Sequence, residues 1–581
     1  MSLLKKTSRF SIPLLYFSFI HRRKISDRIV YNLVLSVFLV SSLFSVLILN
    51  DSYTTSIPTS GGTLVEGIVG TPRFVNPVLA INRADHDMVA LIYSGLLKLD
   101  AQGNLVNDIA ESITVSEDAK TYHIQIRNDV YFHNGQQLKV RDIAFTIALI
   151  QNPELKSPLR GNWDGVKVEE IGEFELNIIL EEAYMPFIEN LLVGILPREL
   201  WDGLSIEQVA FSQNNTQPIG TGPYQVTEVV RNKSGLIDGY NLSAFTSQGD
   251  TPNISKLAFN FYQNEEELLV ALSNKEIKST PSLSPENLAL VDTALYQIIE
   301  NPIPRTFAMY FNQNKSAVLR DKSARSALET MIDRDQLIAQ VLHGHGIPTD
   351  SPVPPGFIEV NSNDSKEVQA LSVEKKTIAE KILIDGGWRK NEVGIWEKVL
   401  DGEKTSLSLS ITTANTPLFD KTAAAVANMW KALGVEVTVS QFEQTDLVQT
   451  IIRPRDFEIL LYGADIGRQI DLYPFWHSSQ KNDPGLNIAQ YTNIDVDALL
   501  EKIRITADAT EKTKIIHDIE NILQKDTPAV FLFVPTFGYV VDSQVRIPPQ
   551  LHISRQSERF AGIRTWHMES DDVWPMFSEK Q

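Results

Sequence analysis

Residues 407–440 read LSLSITTANTPLFDKTAAAVANMWKALGVEVTVS, and the order of patterns within them decides the fold. Leu407, Leu409 and Ile411 alternate with serines, the period of two that marks a half-buried strand. The Ala-rich stretch 420–433 has the composition of a helix, and Gly434 supplies its stop. Val435, Val437 and Val439 then resume the alternation. Strand, helix and strand in that order imply a right-handed crossover and a sheet with a parallel part.

Working outward, residues 457–462 form a third predicted strand, and the loop after it opens at Gly463-Ala464-Asp465. Sheets of this kind bind ligands beyond the carboxyl ends of their strands, so the pattern alone nominates Asp465. Helices are predicted at 495–505 and 512–523, and residues 530–534 read as a buried strand. Upstream, Tyr122, Ile124 and Ile126 alternate with polar residues, Asn134-Gly135 signals a tight turn, and 142–150 reads as a helix ending near Pro153. The class is α/β.

The opposite end of the chain sets a topology. Residues 29–49, IVYNLVLSVFLVSSLFSVLIL, carry no charge, and their length is about what a helix needs to cross ~30 Å of hydrocarbon. Seven Lys or Arg and one acid precede them, so the positive-inside rule places the N-terminus in the cytoplasm and the rest outside, on a single uncleaved signal-anchor helix. Residues 51–62 are polar, small and broken by Pro and Gly, and read as a linker.

Charge and composition exclude several classes. The first 28 residues have a net charge of +6, so a total of −19 leaves −25 on the remainder, which repels nucleic acid. Cysteine is absent, so neither disulfides nor a Cys nucleophile are available. There is no phosphate-binding Gly-rich loop ending in Lys-Ser/Thr, no His-Glu-x-x-His and no Gly-x-Ser-x-Gly. His343-Gly344-His345-Gly346 reads as a helix-exit loop, since two histidines alone make a weak metal site. No enzyme activity, cofactor or metal is expected.

A series of motifs adds a resemblance. Thr71-Pro72-Arg73-Phe74-Val75-Asn76-Pro77, Ile92-Tyr93-Ser94-Gly95-Leu96-Leu97, Asp108-Ile109-Ala110-Glu111-Ser112 and Phe132-His133-Asn134-Gly135 come first. Gly220-Thr221-Gly222-Pro223-Tyr224, Met309-Tyr310-Phe311-Asn312 and Ile332-Asp333-Arg334 follow. The series resembles the family 5 extracellular solute-binding proteins, the oligopeptide- and dipeptide-binding proteins of ABC importers, over roughly residues 62–570.

The resemblance implies a periplasmic-binding-protein-like fold that closes about a hinge. Lobe I would comprise 63–78, 195–305 and 530–570; an inserted smaller domain 79–194; lobe II 306–529; residues 1–28, 29–50, 51–62 and 571–581 would be basic segment, anchor, linker and tail. It implies short peptides as ligand, an ABC permease as partner, a monomer, and a cell-membrane location with the binding domain extracytoplasmic. Relatives that take nickel, haem, sugars or opines keep another cargo open, as does a peptide-binding sensor or chaperone without import.

In the family a Trp/Tyr-x-x-Asp loop holds the acid that meets the peptide's free amine, a cation too costly to bury unpaired. Tyr462-Gly463-Ala464-Asp465 matches, making Asp465 the amine-binding candidate and Tyr462 a pocket wall beside Gly463. The loop then departs from the family pattern, running Ile466-Gly467-Arg468-Gln469-Ile470-Asp471-Leu472-Tyr473-Pro474-Phe475-Trp476. Asp471 is therefore an alternative anchor, Arg468 a partner for either acid or for a ligand carboxylate, and Tyr473 and Trp476 candidates for the cleft lining.

Overall fold

In the computed structural model the crossover forms as the sequence predicts. Strand Ser408–Ala414, helix Pro417–Leu433 and strand Glu436–Phe442 follow one another, the strands pairing in parallel from Ser408 with Glu436 to Ala414 with Phe442. Pro417 sits in the first helical turn, where its missing N–H costs no bond. Gly434 ends the helix at φ +99°. Ala423, Val426, Ala427, Trp430 and Leu433 form the buried face of that helix. The structure describes residues 24–246, 250–357, 372–506, 508–549 and 553–573.

Strand Ile459–Asp465 extends this sheet, parallel to Ser408–Ala414 and antiparallel to Arg305–Phe311. A second sheet carries Gly61–Val69 parallel to Ile254–Tyr262, with Ile237–Ala244 and Tyr224–Arg231 beyond. Strand Ala529–Asp542 belongs to both. Its first half pairs with Arg305–Phe311 and its second half with Tyr296–Pro302. We call the part built on the second sheet lobe I and the crossover part lobe II. The chain passes between them near 302–305 and 533–536. A smaller antiparallel sheet, in the order Ala110–Val115, Thr121–Ile126, Glu175–Ile179, Lys167–Glu170, forms the insert. Tyr122, Ile124 and Ile126 are its buried face, as their alternation predicts.

Lobe I is joined by a buried polar network that no local pattern encodes. Arg559 is 1% exposed and donates from Nη1 and Nη2 to Asp87 at 2.7 and 2.8 Å. Its Nη2 also pairs with Glu66. The other Glu66 oxygen accepts from Ser279 Oγ at 3.0 Å and Tyr539 Oη at 2.8 Å. Burial pushes the Glu66 carboxyl above its ordinary value, against the pull of Arg559. The segments meeting here are as much as 493 residues apart in the chain.

The Gly220-Thr221-Gly222 motif also acts by packing. A Cβ on Gly220 would lie 2.0 Å from the Ile92 carbonyl oxygen, which forces glycine there. Against this turn His133 places Nε2 3.1 Å from the Gly222 carbonyl and accepts at Nδ1 from Gly220 N–H at 3.3 Å. That pair of contacts needs the neutral ring, and burial holds its pKa down at about 4.

The termini form a separate unit. Helix Ile25–Tyr53 encloses the apolar run, and strand Thr55–Thr59 pairs antiparallel with Glu569–Val573. Part of the expected linker is therefore a strand, and so is the start of the expected tail. The expected transmembrane anchor is not supported: among the described residues no helix is long and apolar enough to cross a membrane. Residues 1–23 and 574–581 of the basic segment and tail lie outside the described residues, as do the side chains of 46–49.

Candidate ligand-binding cleft

Antiparallel register places Asp465 opposite Arg305, Gly463 opposite Phe307 and Tyr462 opposite Ala308. Asp465 stands at the strand end with its side chain 45% exposed and its carboxylate 3.4 Å from Arg305. It also accepts from Gly467 N–H at 3.2 Å, capping its own turn. Tyr462 is partly exposed beside it.

The following loop turns inward. A cavity of about 550 Å³ opens between residues 466–471 on lobe II and the insert segments 161–166 and 180–190, within the size range of small-ligand sites. Asp164, Glu181, Glu182, Glu189 and Asp471 line it, faced by Arg504. Asp471 is therefore a cavity residue, whereas Asp465 lies just outside the wall.

Asp471 is held by both sides of the cleft. Its Oδ1 accepts from Tyr473 N–H at 3.2 Å, and its Oδ2 accepts from Tyr184 Oη at 3.1 Å and lies 3.3 Å from Arg504. The Arg504 guanidinium stands 4.7 Å from the Tyr184 ring centre and 4.3 Å from that of Tyr473, distances at which a cation is attracted to the ring face. Burial, then the Asp471 charge, pushes the Tyr184 phenol up to about 12, so it stays a proton donor to the carboxylate. Tyr473 stacks on His477 at 4.1 Å between ring centres, supporting the Arg504 site from behind.

Two sequence candidates take other roles. Arg468 is 9% exposed; Nη1 donates to the Gly103 carbonyl at 2.9 Å, Nη2 pairs with Glu558, and Nε is 4.0 Å from Glu189. It bridges the parts of the protein, and these acids, not Asp465 or Asp471, are its partners. Trp476 is 1% exposed and packs on Tyr310, Tyr491 and Phe531, so it belongs to the lobe II core and not to the cleft lining. Its apolar bulk outweighed its position in the loop.

Glu189, Tyr184 and Arg504 are the residues that sequence reasoning missed. Glu189 lies in the 3-10 helix Met185–Leu192 after the insert's sheet, Tyr184 immediately precedes that helix, and Arg504 stands in the last turn of helix Ile494–Ile505. Burial, with Glu558 nearby, pushes the Glu189 carboxyl up to about 7 despite Arg468. Its Oε1 is buried with no hydrogen-bond partner. Among the described residues no group of three or more His, Cys, Asp or Glu is arranged to hold a metal ion; His345 instead contacts Glu300 at 3.0 Å.

A sequence model of the bacterial extracellular solute-binding proteins, family 5 Middle, matches residues 104–484. The chain belongs to this family. Among family 5 relatives, the oligopeptide-binding protein AppA of Bacillus subtilis is 27% identical over 495 residues, 82% of this chain and 87% of AppA. The solved structure of AppA in complex with a nonapeptide superposes with a TM-score of 0.63 at 25% identity, covering 88% of this chain and all of that one. NikZ from Campylobacter jejuni, solved with Ni(L-His), has a TM-score of 0.64 at 23% identity over 87% of this chain and 99% of NikZ, a likeness of fold. The periplasmic-binding-protein-like α/β fold and the extracytoplasmic class follow from family 5 membership.

Proposed function

We propose that the chain captures short peptides outside the cytoplasm and delivers them to an ABC permease, without chemical change to the cargo. The observation that carries this reading is the acidic cavity between the insert and lobe II, with Asp471 held at its wall by Tyr184 and Arg504. A carboxylate there can neutralise a peptide α-amine whose burial would otherwise be prohibitive. The peptide complex of AppA supports the ligand class. Within the loop we place the anchoring role on Asp471, with Tyr473 backing Arg504 behind the wall and Tyr462, Gly463 and Asp465 at the outer rim.

The division into lobe I, the insert at 79–194 and lobe II at 306–529 is part of the same proposal. So is tethering through helix Ile25–Tyr53, supported by the exposure of Ile29, Leu33, Val37, Phe38 and Phe44 along it. Alkaline carbonate extraction tests tethering: the chain stays with the membrane fraction, and its release defeats that part alone. Thermal melting of the full chain with a tetrapeptide library, with monosaccharides and with Ni(L-His) tests the cargo. A ligand that binds only the folded state stabilises it by about 2.7 kcal/mol at a hundred times its Kd. A rise in Tm with peptides alone supports the proposal; a rise with Ni(L-His) or a sugar and not with peptides overturns it.

A further inference from the structure

The lobe II loop beside the cavity is pinned by one of its own side chains. Arg468 leaves the lobe II loop and enters a socket made elsewhere: the Gly103 carbonyl and Glu189 come from the insert, and Glu558 from the short helix Gln556–Phe560 of lobe I. The socket is built. Ser554 N–H donates to Glu558 Oε2 at 2.6 Å, and the Glu558 and Arg468 side chains are 16% and 9% exposed. The turn that aims Arg468 is set by Gly467 at φ +68° and Ile470 at φ +54°, both in the left-handed region. Ile470 pays the steric cost that glycine avoids, and its side chain is buried in the lobe II core. Any movement that separates residues 466–471 from the insert must withdraw Arg468 from Gly103 and Glu189, and any that separates them from lobe I must break its pair with Glu558.

We infer that Arg468 is a positioning residue: by holding the lobe II loop against the insert and lobe I, it sets the fraction of molecules in the closed, ligand-retaining arrangement without touching the ligand. The inference rests on the two-lobed capture proposed above. A ligand that requires the closed arrangement binds with an apparent affinity scaled by that fraction, so the latch tunes affinity from outside the ligand contacts.

Glu189 makes the latch sensitive to pH. The groups acting on it most are Arg468 and Gln469 from lobe II and Arg555 and Glu558 from lobe I, and it shares the cavity lining with Asp164, Glu181, Glu182, Asp471 and Arg504. With Arg468 seated as it is here, its carboxyl is raised from an ordinary 4.5 to about 7, mainly by burial. On opening, water returns the carboxyl toward the ordinary value. The closed form therefore holds the proton more tightly, so Glu189 favours closure as pH falls below about 7 and withdraws that support as pH rises through it.

The absence of native cysteine gives a clean test. Spin labels on Ile171→Cys in the insert and Ile494→Cys in lobe II, at sites 56% and 82% exposed, report the separation of the insert from lobe II by double electron–electron resonance. The full chain is measured with no peptide added. Arg468→Ala is expected to raise the open-to-closed ratio about 10- to 150-fold, the equivalent of one charged hydrogen bond. Arg468→Lys should restore part of it, since a lysine keeps the charge and loses the fork. Glu558→Gln, a milder change to the same pair, should shift the distribution in the same direction. The wild type should open between pH 5.5 and 8, and Glu189→Gln should remove that dependence. Unchanged distances in both Arg468→Ala and Glu558→Gln, or a wild type insensitive to pH, overturn the inference. Because no peptide is present, either result leaves the proposed cargo standing, and failure of peptide binding leaves the latch standing.

Discussion

Replacing Asp471 separates the two acids that compete for the ligand amine. Asp471 lies on the cavity wall with its side chain 13% exposed, so a charged hydrogen bond made there is poorly solvated. Such a bond contributes about 1.5–3 kcal/mol, or roughly 10- to 150-fold in Kd. Asp465 is 45% exposed and its pair with Arg305, itself 50% exposed, is a surface contact. Surface pairs contribute about 0–1 kcal/mol, which bounds the effect of losing Asp465 at roughly fivefold. The complication is that Asp471 also receives Tyr184 and Arg504, so its loss loosens the cleft for every ligand. The comparison that isolates the amine uses one tetrapeptide in free and N-acetylated forms, titrated calorimetrically. The wild type should prefer the free form by about 10- to 150-fold, Asp465→Ala should keep that preference, and Asp471→Asn should lose it. Asp471→Asn with an intact preference, or Asp465→Ala without one, would refute the assignment and return the anchor to the strand end.

Other outcomes follow from burial. Arg559→Met leaves Glu66 and Asp87 buried without their cation and should cost about 3–5 kcal/mol in urea unfolding; adding Glu66→Gln should recover part of the loss. His133 is held neutral with a pKa of about 4 against an ordinary 6.5, so the unfolded chain binds the extra proton more readily. Its contribution is complete above about 6.5 and is lost as pH falls toward 4; His133→Gln, which can make the same two contacts without charging, should flatten the melting curve against pH over that window. Trp476→Ala should destabilise lobe II by about 3–5 kcal/mol while leaving the peptide Kd of the folded protein within roughly twofold, and a large change in Kd at unchanged stability would restore Trp476 to the cleft.

The sequence discloses what is local. Leu407, Leu409 and Ile411, the Ala-rich helix and the valines after Gly434 carry period and punctuation in neighbouring residues, and all three elements form where those signals lie. The position of the candidate loop after strand Ile459–Asp465 was legible for the same reason. What the loop's residues do was not. Trp476 is drawn into the core by Tyr310 and Phe531, and Arg468 is satisfied by Glu558, a residue 90 positions away. Tyr184 meets Asp471 across 287 residues of chain, and no periodicity marks such a partner. The family resemblance supplied the class of site. The proposed preference for Asp471 over Asp465 rests on the register with Arg305 and the position of the cavity wall.

The most direct test of solute capture without chemistry is native mass spectrometry of the full-length chain in mild detergent, after incubation with a defined mixture of tetrapeptides. One intact peptide per chain, unchanged in mass and present after hours, is the expected result. A chain that binds none of the mixture, or that releases shortened peptides, would contradict the account.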